Sequence, residues 1–264
     1  MFLMAASPSR LVIPDLAGKV VLVTGGSTGI GAALVEAYAA QGCRVGLHYN
    51  ASHDAALALA ARLNDGGGNV FPVRGDFSVS ADVIRVVEDT AAQFGQLDGL
   101  VNNAGGMLGR VPFSEMTDEQ YDKVMDLNAR SVVTATRAAI PWLKKRGGFI
   151  VNTSSVAARN GAGPGAGIYG SAKAFVSNVT RGMAKELIGQ NIRVNAVAPG
   201  LILTPFHERY STPEQIKAGI AGIPQGRAGT AEDCVGAYLF LSSGLLSGYV
   251  SGQVIEVNGG QLMP

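Results

Sequence analysis

Alternating strand-like and helix-like segments predict an α/β fold, with a mainly parallel sheet covered by helices on both faces. Seven short apolar runs of strand type are separated by longer runs of helical type. The chain has 264 residues, 47% of them hydrophobic, which is ample for one sizeable core. We therefore predict a single doubly wound domain with a seven-stranded sheet over residues 18–264, preceded by a loose N-terminal arm over residues 1–17.

The predicted elements alternate almost to the C-terminus. Strands are predicted at 19–23, 44–49, 70–73, 97–102, 148–152, 192–197 and 254–257. Helices are predicted at 32–38, 54–63, 81–94, about 117–142, 169–188, 213–220 and 231–241. The run Asn64–Gly68 ends the second helix with strong breakers. The glycine-rich stretch 157–167 is predicted to be a loop, and 201–229 an irregular substrate loop around its one short helix.

The first strand runs into a glycine-rich turn, Thr24–Gly31, and a helix follows at once. Strand, glycine-rich turn and helix in this order form the phosphate-binding start of a Rossmann-type βαβ unit. Gly25 would permit the tight turn, Gly29 a close approach of the backbone to a pyrophosphate, and Gly31 close helix–strand packing. The helix N-terminus would supply N–H groups and a positive dipole to the phosphate.

Tyr169 and Lys173 are four residues apart, so a helix would place both side chains on one face. A cation about 4 Å from a phenol contributes roughly 4 kcal/mol at an effective dielectric of ~20. That energy would lower the pKa of a tyrosine by about three units, toward the range where general acid–base catalysis works best. The same spacing is also typical of a solvated helix face, so the remaining motifs decide between the two interpretations.

Taken together, these segments resemble the short-chain dehydrogenases/reductases of the branch with the glycine motif Thr-Gly-x-x-x-Gly-x-Gly. The ordered matches are Thr24–Gly31, Asp76, Asn102–Gly105, Asn128, Ser155, Tyr169–Lys173, Pro199–Gly200, Thr204 and Val257–Gly260. The resemblance implies a Rossmann-type domain that transfers a hydride between a nicotinamide and a ketone or secondary alcohol. The cofactor would carry the redox chemistry, and the protein would supply position and protons.

The resemblance also implies four catalytic residues, Asn128, Ser155, Tyr169 and Lys173. Tyr169 would give a proton to the carbonyl oxygen in reduction and take it back in oxidation. Lys173 would favour the tyrosinate and bond the nicotinamide ribose, Ser155 would bond the substrate oxygen, and Asn128 would hold a water that links Lys173 to solvent. Ser154 stays an alternative to Ser155, because the separation of 14 residues between Ser155 and Tyr169 is about one longer than usual.

The cofactor is expected along the glycine turn and the strand ends. Its predicted contacts are Gly25, Ser27, Thr28, Gly29, Ile30, Tyr49, Asn50, Ser52, Asp76, Phe77, Asn103, Ala104, Gly105, Tyr169, Lys173, Pro199, Gly200, Ile202 and Thr204. Residues 45–53 contain no Asp or Glu, and Tyr49 stands where an NAD site needs its acidic residue. A 2′-phosphate is therefore not repelled, and Ser27, Asn50 and Ser52 can donate to it. We predict NADP in preference to NAD, although Thr28 replaces the basic residue frequent in this turn.

Composition excludes several other classes. A net charge of +1 indicates neither a nucleic-acid partner nor an anionic membrane surface. No stretch approaches the ~18 uninterrupted apolar residues of a membrane helix, and the first residues lack the basic start of a secretory signal. Cys43 and Cys234 are predicted to be ordinary thiols in a reducing compartment, so we expect a cytoplasmic protein. The three histidines form no His-x-x-x-His pair, and no metal site is predicted.

The substrate remains open at this level. The pocket is expected to be partly apolar and bordered by 106–113, 156–168 and 201–227, with Met107, Leu108, Leu201 and Phe206. His207 and Arg209 are either contacts for polar or anionic groups or plain surface residues. A small-ketone reductase or alcohol dehydrogenase competes with a 3-oxoacyl thioester reductase and a sugar or polyol dehydrogenase.

Lys144–Arg146 resembles the docking segment of acyl-carrier-protein reductases, whereas Gln190 stands where they often have a second basic residue. A nucleotide-sensing protein without turnover is a further alternative, but it would not need the four catalytic residues. A sugar-nucleotide epimerase or dehydratase usually has a differently spaced glycine motif and a larger C-terminal domain.

A homotetramer is the expected assembly. The resemblance implies that the helices bearing Asn128 and Tyr169 pair across one axis, and that the last helix and strand pack across a second. Residues 231–241 are unusually apolar around the helix circumference, and 254–257 would form an unprotected edge strand. The alternative is a last helix that is sunk into its own core.

Overall fold

The computed structural model describes residues 12–263, apart from the side chain of His207, and its centre is one seven-stranded sheet. The strands are β1 (Val20–Val23), β2 (Arg44–Tyr49), β3 (Asn69–Arg74), β4 (Gly99–Asn102), β5 (Gly148–Thr153), β6 (Ile192–Pro199) and β7 (Val254–Val257). Their order is β3-β2-β1-β4-β5-β6-β7, and every neighbouring pair is parallel. The predicted doubly wound α/β fold is confirmed, and its sheet is parallel throughout.

Helices cover both faces of the sheet. They are α1 (Gly29–Ala40), α2 (His53–Asp65), α3 (Ser80–Phe94), α4 (Asp118–Met125), α5 (Ser131–Leu143), α6 (Ala157–Asn160), α7 (Gly167–Leu187), α8 (Pro205–Tyr210), α9 (Pro213–Ala221), α10 (Ala231–Ser242) and α11 (Gly244–Ser247). Two predictions were wrong here. The stretch 157–167 is not all loop, because it contains the single-turn helix α6, and the irregular segment 201–229 holds α8 as well as the predicted helix.

Each strand contributes side chains to two separate apolar layers. In β1, Val21 and Val23 pack with α1 and α10, whereas Val20 and Leu22 pack with α3, α5 and α7. All four side chains are fully buried. Parallel strands buried on both faces have nearly continuous apolar sequences, which explains why these short runs were recognisable.

The helix predicted over about 117–142 is interrupted in the middle. A π-helical segment, Asp126–Arg130, separates α4 from α5, and the Ser131 N–H accordingly bonds the Asp126 carbonyl five residues earlier. Asn128 lies in this segment and is fully buried. Its Nδ2 donates to the Val124 carbonyl at 2.8 Å and to the Gly106 carbonyl at 2.8 Å. The wider turn thus lets a buried amide bond both its own helix and a neighbouring loop.

The prediction of a loose N-terminal arm was wrong for residues 12–17, while residues 1–11 lie outside the described part of the chain. Ile13 and Leu16 are buried in the core beside a short 3₁₀ turn, Pro14–Leu16. The Asp15 carboxylate accepts hydrogen bonds from Ser243 Oγ at 2.7 Å and from the backbone N–H of Gly244 at 2.7 Å. Burial of apolar side chains and this cap fix the segment against the start of α11.

Within residues 12–263, no helix combines the length and the apolar character needed to cross a membrane. The segments that follow β1, β4, β5 and β6 all leave the sheet at the carboxyl ends of its strands. From β1 the chain adds β2 and β3 on one side of the sheet and β4 to β7 on the other, so the strand order reverses between β1 and β4. In open α/β sheets, ligands bind beside such a reversal. The functional residues are therefore expected at this edge.

Candidate active site

A cavity of ≈ 380 Å³ lies at this carboxyl edge. The predicted site residues that line it are Gly25, Ser27, Thr28, Gly29, Ile30, Asn103, Ala104, Gly105, Ser155, Tyr169, Lys173, Pro199, Gly200, Ile202 and Thr204. The fold thus brings the glycine turn, three of the four predicted catalytic residues and the segment after β6 to one site. Asn128 does not line the cavity. Its side chain exchanges hydrogen bonds with the backbone of Gly106, the residue after the lining residue Gly105.

The glycine turn is held in place by the end of β4. Gly25 has a φ of +64°, which favours glycine, and Asn103 Nδ2 donates to the Thr24 carbonyl at 2.9 Å. The Thr24 hydroxyl accepts from the backbone N–H of Asn103 and of Ala104, both at 2.9 Å. A Cβ on Gly31 would lie 1.9 Å from the Gly25 carbonyl oxygen, so the first turn of α1 passes too close for any side chain.

His48 also holds the glycine turn in place through a hydrogen bond, and this role was not predicted from the sequence. It is 2% exposed, its Nδ1 accepts from the Gly25 N–H at 3.0 Å, and its Nε2 lies 3.0 Å from the Gly75 carbonyl oxygen. This pairing requires a neutral ring with the proton on Nε2. Burial lowers the pKa of His48 to about 4, against nearby Asp82 and Asp76, which act in the opposite direction.

The two adjacent serines have different environments. Ser154 is buried, and its hydroxyl donates to the Lys173 carbonyl at 3.0 Å and lies 2.6 Å from Ser177 Oγ. Ser155 is half-buried, accepts from the Ala157 N–H at 3.1 Å, and lines the cavity together with Tyr169, whose pKa it acts to lower. The geometry therefore favours Ser155 as the residue that meets a substrate, and gives Ser154 the role of joining β5 to α7.

Lys173 is buried beneath the site with a fixed ammonium position. Its Nζ donates to the Thr153 carbonyl at 2.8 Å and lies 5.8 Å from the centre of the Tyr169 ring. A Cβ built on Gly105 would meet Asn128 Oδ1 at 2.7 Å and Lys173 Nζ at 3.1 Å. Asn128 and Lys173 therefore flank the same glycine, and only a residue without a side chain fits between them.

The predicted effect of Lys173 on the pKa of Tyr169 was wrong for this arrangement. Burial raises the pKa of Tyr169 to about 12, and the hydrogen bond with Ser155 only partly offsets it. Burial also lowers the pKa of Lys173 to about 8. The ammonium bonds Thr153 instead of the phenol, so loss of hydration outweighs the attraction between the two groups.

Five predicted cofactor contacts lie outside this cavity. Tyr49 is buried with its hydroxyl 2.9 Å from His53 Nδ1, and Phe77 stacks on His48 at 3.8 Å between ring centres. Asp76 Oδ1 accepts from the backbone N–H and the hydroxyl of Ser78, as a turn cap would. Asn50 is exposed and Ser52 half-buried at the carboxyl end of β2. Their contacts with a nucleotide stay a prediction.

Two further lining residues were not singled out from the sequence. Arg110 and Gln261 contribute polar side chains to the cavity. Arg110 lies within the predicted border 106–113, but nothing in that segment distinguishes its arginine from a surface residue. Gln261 follows the matched C-terminal motif, and its Oε1 is buried without a hydrogen-bond partner.

The site fits a dinucleotide. Its tight turn places the start of α1 at the cavity, and the Cβ of a larger residue at position 31 would fill the space that the turn needs. The first N–H groups of a helix have no partner within the helix and favour a phosphate. The hydroxyls of Ser155 and Tyr169 and the buried Lys173 lie at the same cavity. Fold and site together define a dinucleotide-dependent oxidoreductase.

Comparison with known proteins agrees with this class. A family model described as enoyl-(acyl carrier protein) reductase matches residues 25–261. The 3-oxoacyl-[acyl-carrier-protein] reductase FabG of Thermotoga maritima is 38% identical over 247 residues, which cover 93% of this chain and 98% of that protein. This chain belongs to the short-chain dehydrogenase/reductase family, as the sequence motifs predicted, and is an oxidoreductase acting on carbonyl or hydroxyl groups.

Two solved structures are similar over nearly the whole chain. The NADH-dependent reductase A1-R′ responsible for alginate metabolism is 37% identical, with a TM-score of 0.86, and the match covers 95% of this chain and 100% of that one. A 7α-hydroxysteroid dehydrogenase complexed with NADH and 7-oxo glycochenodeoxycholic acid is 34% identical, with a TM-score of 0.88 and coverage of 93% and 94%. The substrates of these relatives differ, so family membership leaves the substrate of this chain open.

Proposed function

We propose that this protein is an NADP(H)-dependent carbonyl reductase in which Tyr169 is the general acid and base. The observation that carries the proposal is that Ser155 and Tyr169 line the same cavity as the glycine turn. Burial raises the pKa of Tyr169 to about 12, so its phenol is protonated at neutral pH and has a proton to give to a carbonyl oxygen.

The nicotinamide, when bound, would supply the hydride. Tyr169 would donate its proton to the carbonyl oxygen, and Ser155 would donate a hydrogen bond to the same oxygen as negative charge develops on it. Lys173 would stabilise the tyrosinate that remains, since burial magnifies the effect of its positive charge. Asn128 would fix the loop at Gly106 and thereby the position of Gly105 next to Lys173.

The preference for NADP rests on the carboxyl end of β2. Tyr49 occupies the position of the acidic residue that would bond the ribose hydroxyls of NAD. Arg74 is the register partner of Tyr49 on β3 and is exposed, so a cation stands beside the place of a 2′-phosphate. Ser27, Asn50, Ser52, Asp76 and Phe77 complete the proposed adenosine side. NADH, which the A1-R′ reductase uses, is the alternative.

A 3-oxoacyl thioester reductase is the second candidate. The relative from Thermotoga maritima has that activity in its name. Lys144–Arg146 is exposed at the end of α5, where an acidic carrier protein could bind. Lys145 nevertheless lies 4.0 Å above the Trp142 ring, so part of this segment is engaged within the subunit. A sugar or polyol dehydrogenase is a third, since A1-R′ is responsible for alginate metabolism.

Residues 201–229, with α8 and α9, are the proposed substrate loop of a catalytic domain that runs from residue 18 to the C-terminus. We also propose a cytoplasmic location, because Cys43 and Cys234 are both buried free thiols. The proposed assembly is a homotetramer.

A panel of small ketones, 3-oxoacyl thioesters and sugars tests the function, assayed with NADPH and with NADH by the absorbance of the reduced nicotinamide. We expect ketone-dependent oxidation of NADPH that Ser155→Ala and Tyr169→Phe abolish. Nucleotide binding without turnover of any carbonyl compound or alcohol would support the nucleotide-sensing alternative instead.

A further inference from the structure

The cavity contains an arginine that the proposed proton transfer does not use. Arg110 follows β4, and its half-buried side chain lines the cavity. Its Nε donates to the Tyr210 carbonyl at 2.9 Å and its Nη1 to the Pro164 carbonyl at 3.1 Å. Both acceptors are neutral, so they orient the guanidinium without compensating its charge.

The contacts of Arg110 place it on the substrate side of the site. The Tyr169 ring lies 5.7 Å from that of Phe206, and the Phe206 ring lies 5.0 Å from that of Tyr210, whose carbonyl holds Arg110. Its other acceptor, Pro164, is on the loop that leads into α7 and Tyr169. Arg110 is thus tied to the walls around the proton donor, and not to the glycine turn that would hold the phosphates.

The described lining of the cavity carries a net positive charge. Among the described residues that line the cavity, the cations are Arg110 and Lys173, and none is Asp or Glu. Lys173 is 4% exposed and bonded to Thr153, which leaves Arg110 as the cation that a substrate can reach. A guanidinium has five N–H donors, and two suffice for its carbonyl partners, so others remain for a planar anion such as a carboxylate.

Gln261 adds a second recognition group. Its Oε1 is buried and has no hydrogen-bond partner, although the side chain borders the cavity. A buried acceptor without a partner is unfavourable, and a hydrogen-bond donor of a ligand would satisfy it. A hydroxyl on the substrate is such a donor.

We propose that the natural substrate is an oxo acid, whose carboxylate Arg110 binds while its carbonyl meets Ser155 and Tyr169. This inference rests on the proposed function and narrows its substrate class. Gln261 would accept a hydrogen bond from a hydroxyl of the same molecule. A carboxylate also explains why the lining carries an arginine and no acid, since an unpaired charge in a partly desolvated site is unfavourable until an anion binds.

The test compares pyruvate, acetoacetate and levulinate, each with its methyl ester, as substrates of the wild type, Arg110→Gln, Arg110→Lys and Arg62→Gln. Arg62 is the matched control, because it is exposed on α2, outside the cavity lining and outside the proposed substrate loop. The wild type should reduce at least one acid in preference to its ester. Arg110→Gln should raise the KM of that acid by about 10- to 100-fold and leave the ester almost unchanged. Arg110→Lys should recover part of the loss, and Arg62→Gln should show none.

If Arg110→Gln raises the KM of the acid and of the ester equally, Arg110 only links its two carbonyl partners structurally, and the inference is overturned. A wild type that prefers the esters or a 3-oxoacyl thioester would overturn it as well. If no compound is turned over, the proposed function fails, and calorimetric titration of the three acids in the presence of NADPH still decides about Arg110. Binding that Arg110→Gln weakens would support the anion site, whereas unchanged or absent binding would contradict it.

Discussion

At the scale of single residues, the adjacent Ser154 and Ser155 have different roles: the first is structural and the second is proposed to be catalytic. Both follow β5, but the alternation of a strand end turns one hydroxyl into the core and the other toward the cavity. Ser154 joins the Lys173 carbonyl to Ser177, whereas Ser155 faces Tyr169. The 14 residues from Ser155 to Tyr169 include α6 and the loop before α7, and this path brings both residues to the same cavity.

Alanine at each serine should therefore produce different losses. Ser154→Ala removes two buried hydrogen bonds and should lower the free energy of unfolding by about 1–3 kcal/mol, with activity retained in the folded fraction. Ser155→Ala should lower kcat by about 10²–10³-fold with little change in stability. Urea unfolding and steady-state kinetics on the same preparations check both, and the reverse pattern would assign catalysis to Ser154.

At the scale of elements, the glycine turn depends on a neutral histidine from the neighbouring strand. His48 accepts the Gly25 N–H and can do so only while its Nδ1 is unprotonated. Its folded-state pKa of about 4 lies below the ordinary histidine value of 6.5, so the unfolded chain binds this proton more readily. His48 therefore leaves the free energy of unfolding unchanged above pH 6.5 and lowers it as the pH drops from 6.5 toward 4.

We expect this histidine to cost about 3 kcal/mol of stability over that interval, near 1.4 kcal/mol per pH unit. Asp82, whose pKa is lowered by its hydrogen bond to the Asp76 N–H and by Arg85, loses its contribution at more acidic pH. Denaturant unfolding at several pH values should show the slope in the wild type and in His53→Gln, whose histidine is exposed. His48→Gln should flatten it, and an unchanged slope in that variant would refute the role of His48.

The ends of β2 and β3 carry the prediction on cofactor choice. NADPH should bind the wild type more tightly than NADH, and Tyr49→Asp should reverse the preference because a carboxylate repels the 2′-phosphate and bonds the ribose hydroxyls. Arg74→Gln should weaken NADPH by about 10-fold or more and leave NADH unchanged. Fluorescence titration of the three proteins with NADPH and with NADH measures all six affinities. Equal or tighter binding of NADH by the wild type would show that the site belongs to NAD.

At the scale of the whole molecule, two pairs among the exposed apolar side chains bear on the proposed assembly. Val133 and Phe175 are exposed on α5 and α7, and Leu245 and Tyr249 are exposed between α10 and β7 in the chain, at 71% and 106%. The proposed tetramer would pair α5 and α7 across one axis, and α10 and β7 with their flanking residues across the other. Exposed apolar surface of this kind marks protein–protein contacts more often than it serves a lone subunit.

Light scattering at micromolar concentration should give about four times the 27.2 kDa chain mass. Phe175→Glu and Tyr249→Glu should each remove one interface and leave dimers, because a charge buried in an apolar contact is costly. A wild-type mass near that of one chain, stable on concentration, would refute the assembly. A stable wild-type dimer would leave only one of the two interfaces.

The parts of the site that the sequence predicted are those encoded by local spacing. Thr24–Gly31 and the Tyr169/Lys173 pair each lie within one turn or helix, so neighbouring residues reveal them. His48 and Arg110 could not be predicted in this way, because their roles depend on contacts between distant segments. Arg110 bonds carbonyls 54 and 100 residues further along the chain, and no short pattern records such a pairing. The π-helical segment around Asn128 likewise follows from a tertiary bond to Gly106, and its sequence is that of an ordinary helix.

The central claim is that Tyr169 exchanges the proton that accompanies hydride transfer. Single-turnover oxidation of bound NADPH by the best carbonyl substrate tests it most directly in Tyr169→Phe, with Tyr121→Phe, an exposed tyrosine on α4, as the matched control. We expect Tyr169→Phe to retain less than about a tenth of the wild-type rate, because a general acid typically contributes ~10²–10⁴-fold. NADPH affinity should stay nearly unchanged, and Tyr121→Phe should match the wild type. A Tyr169→Phe enzyme that reduces its substrate at close to the wild-type rate would contradict the account.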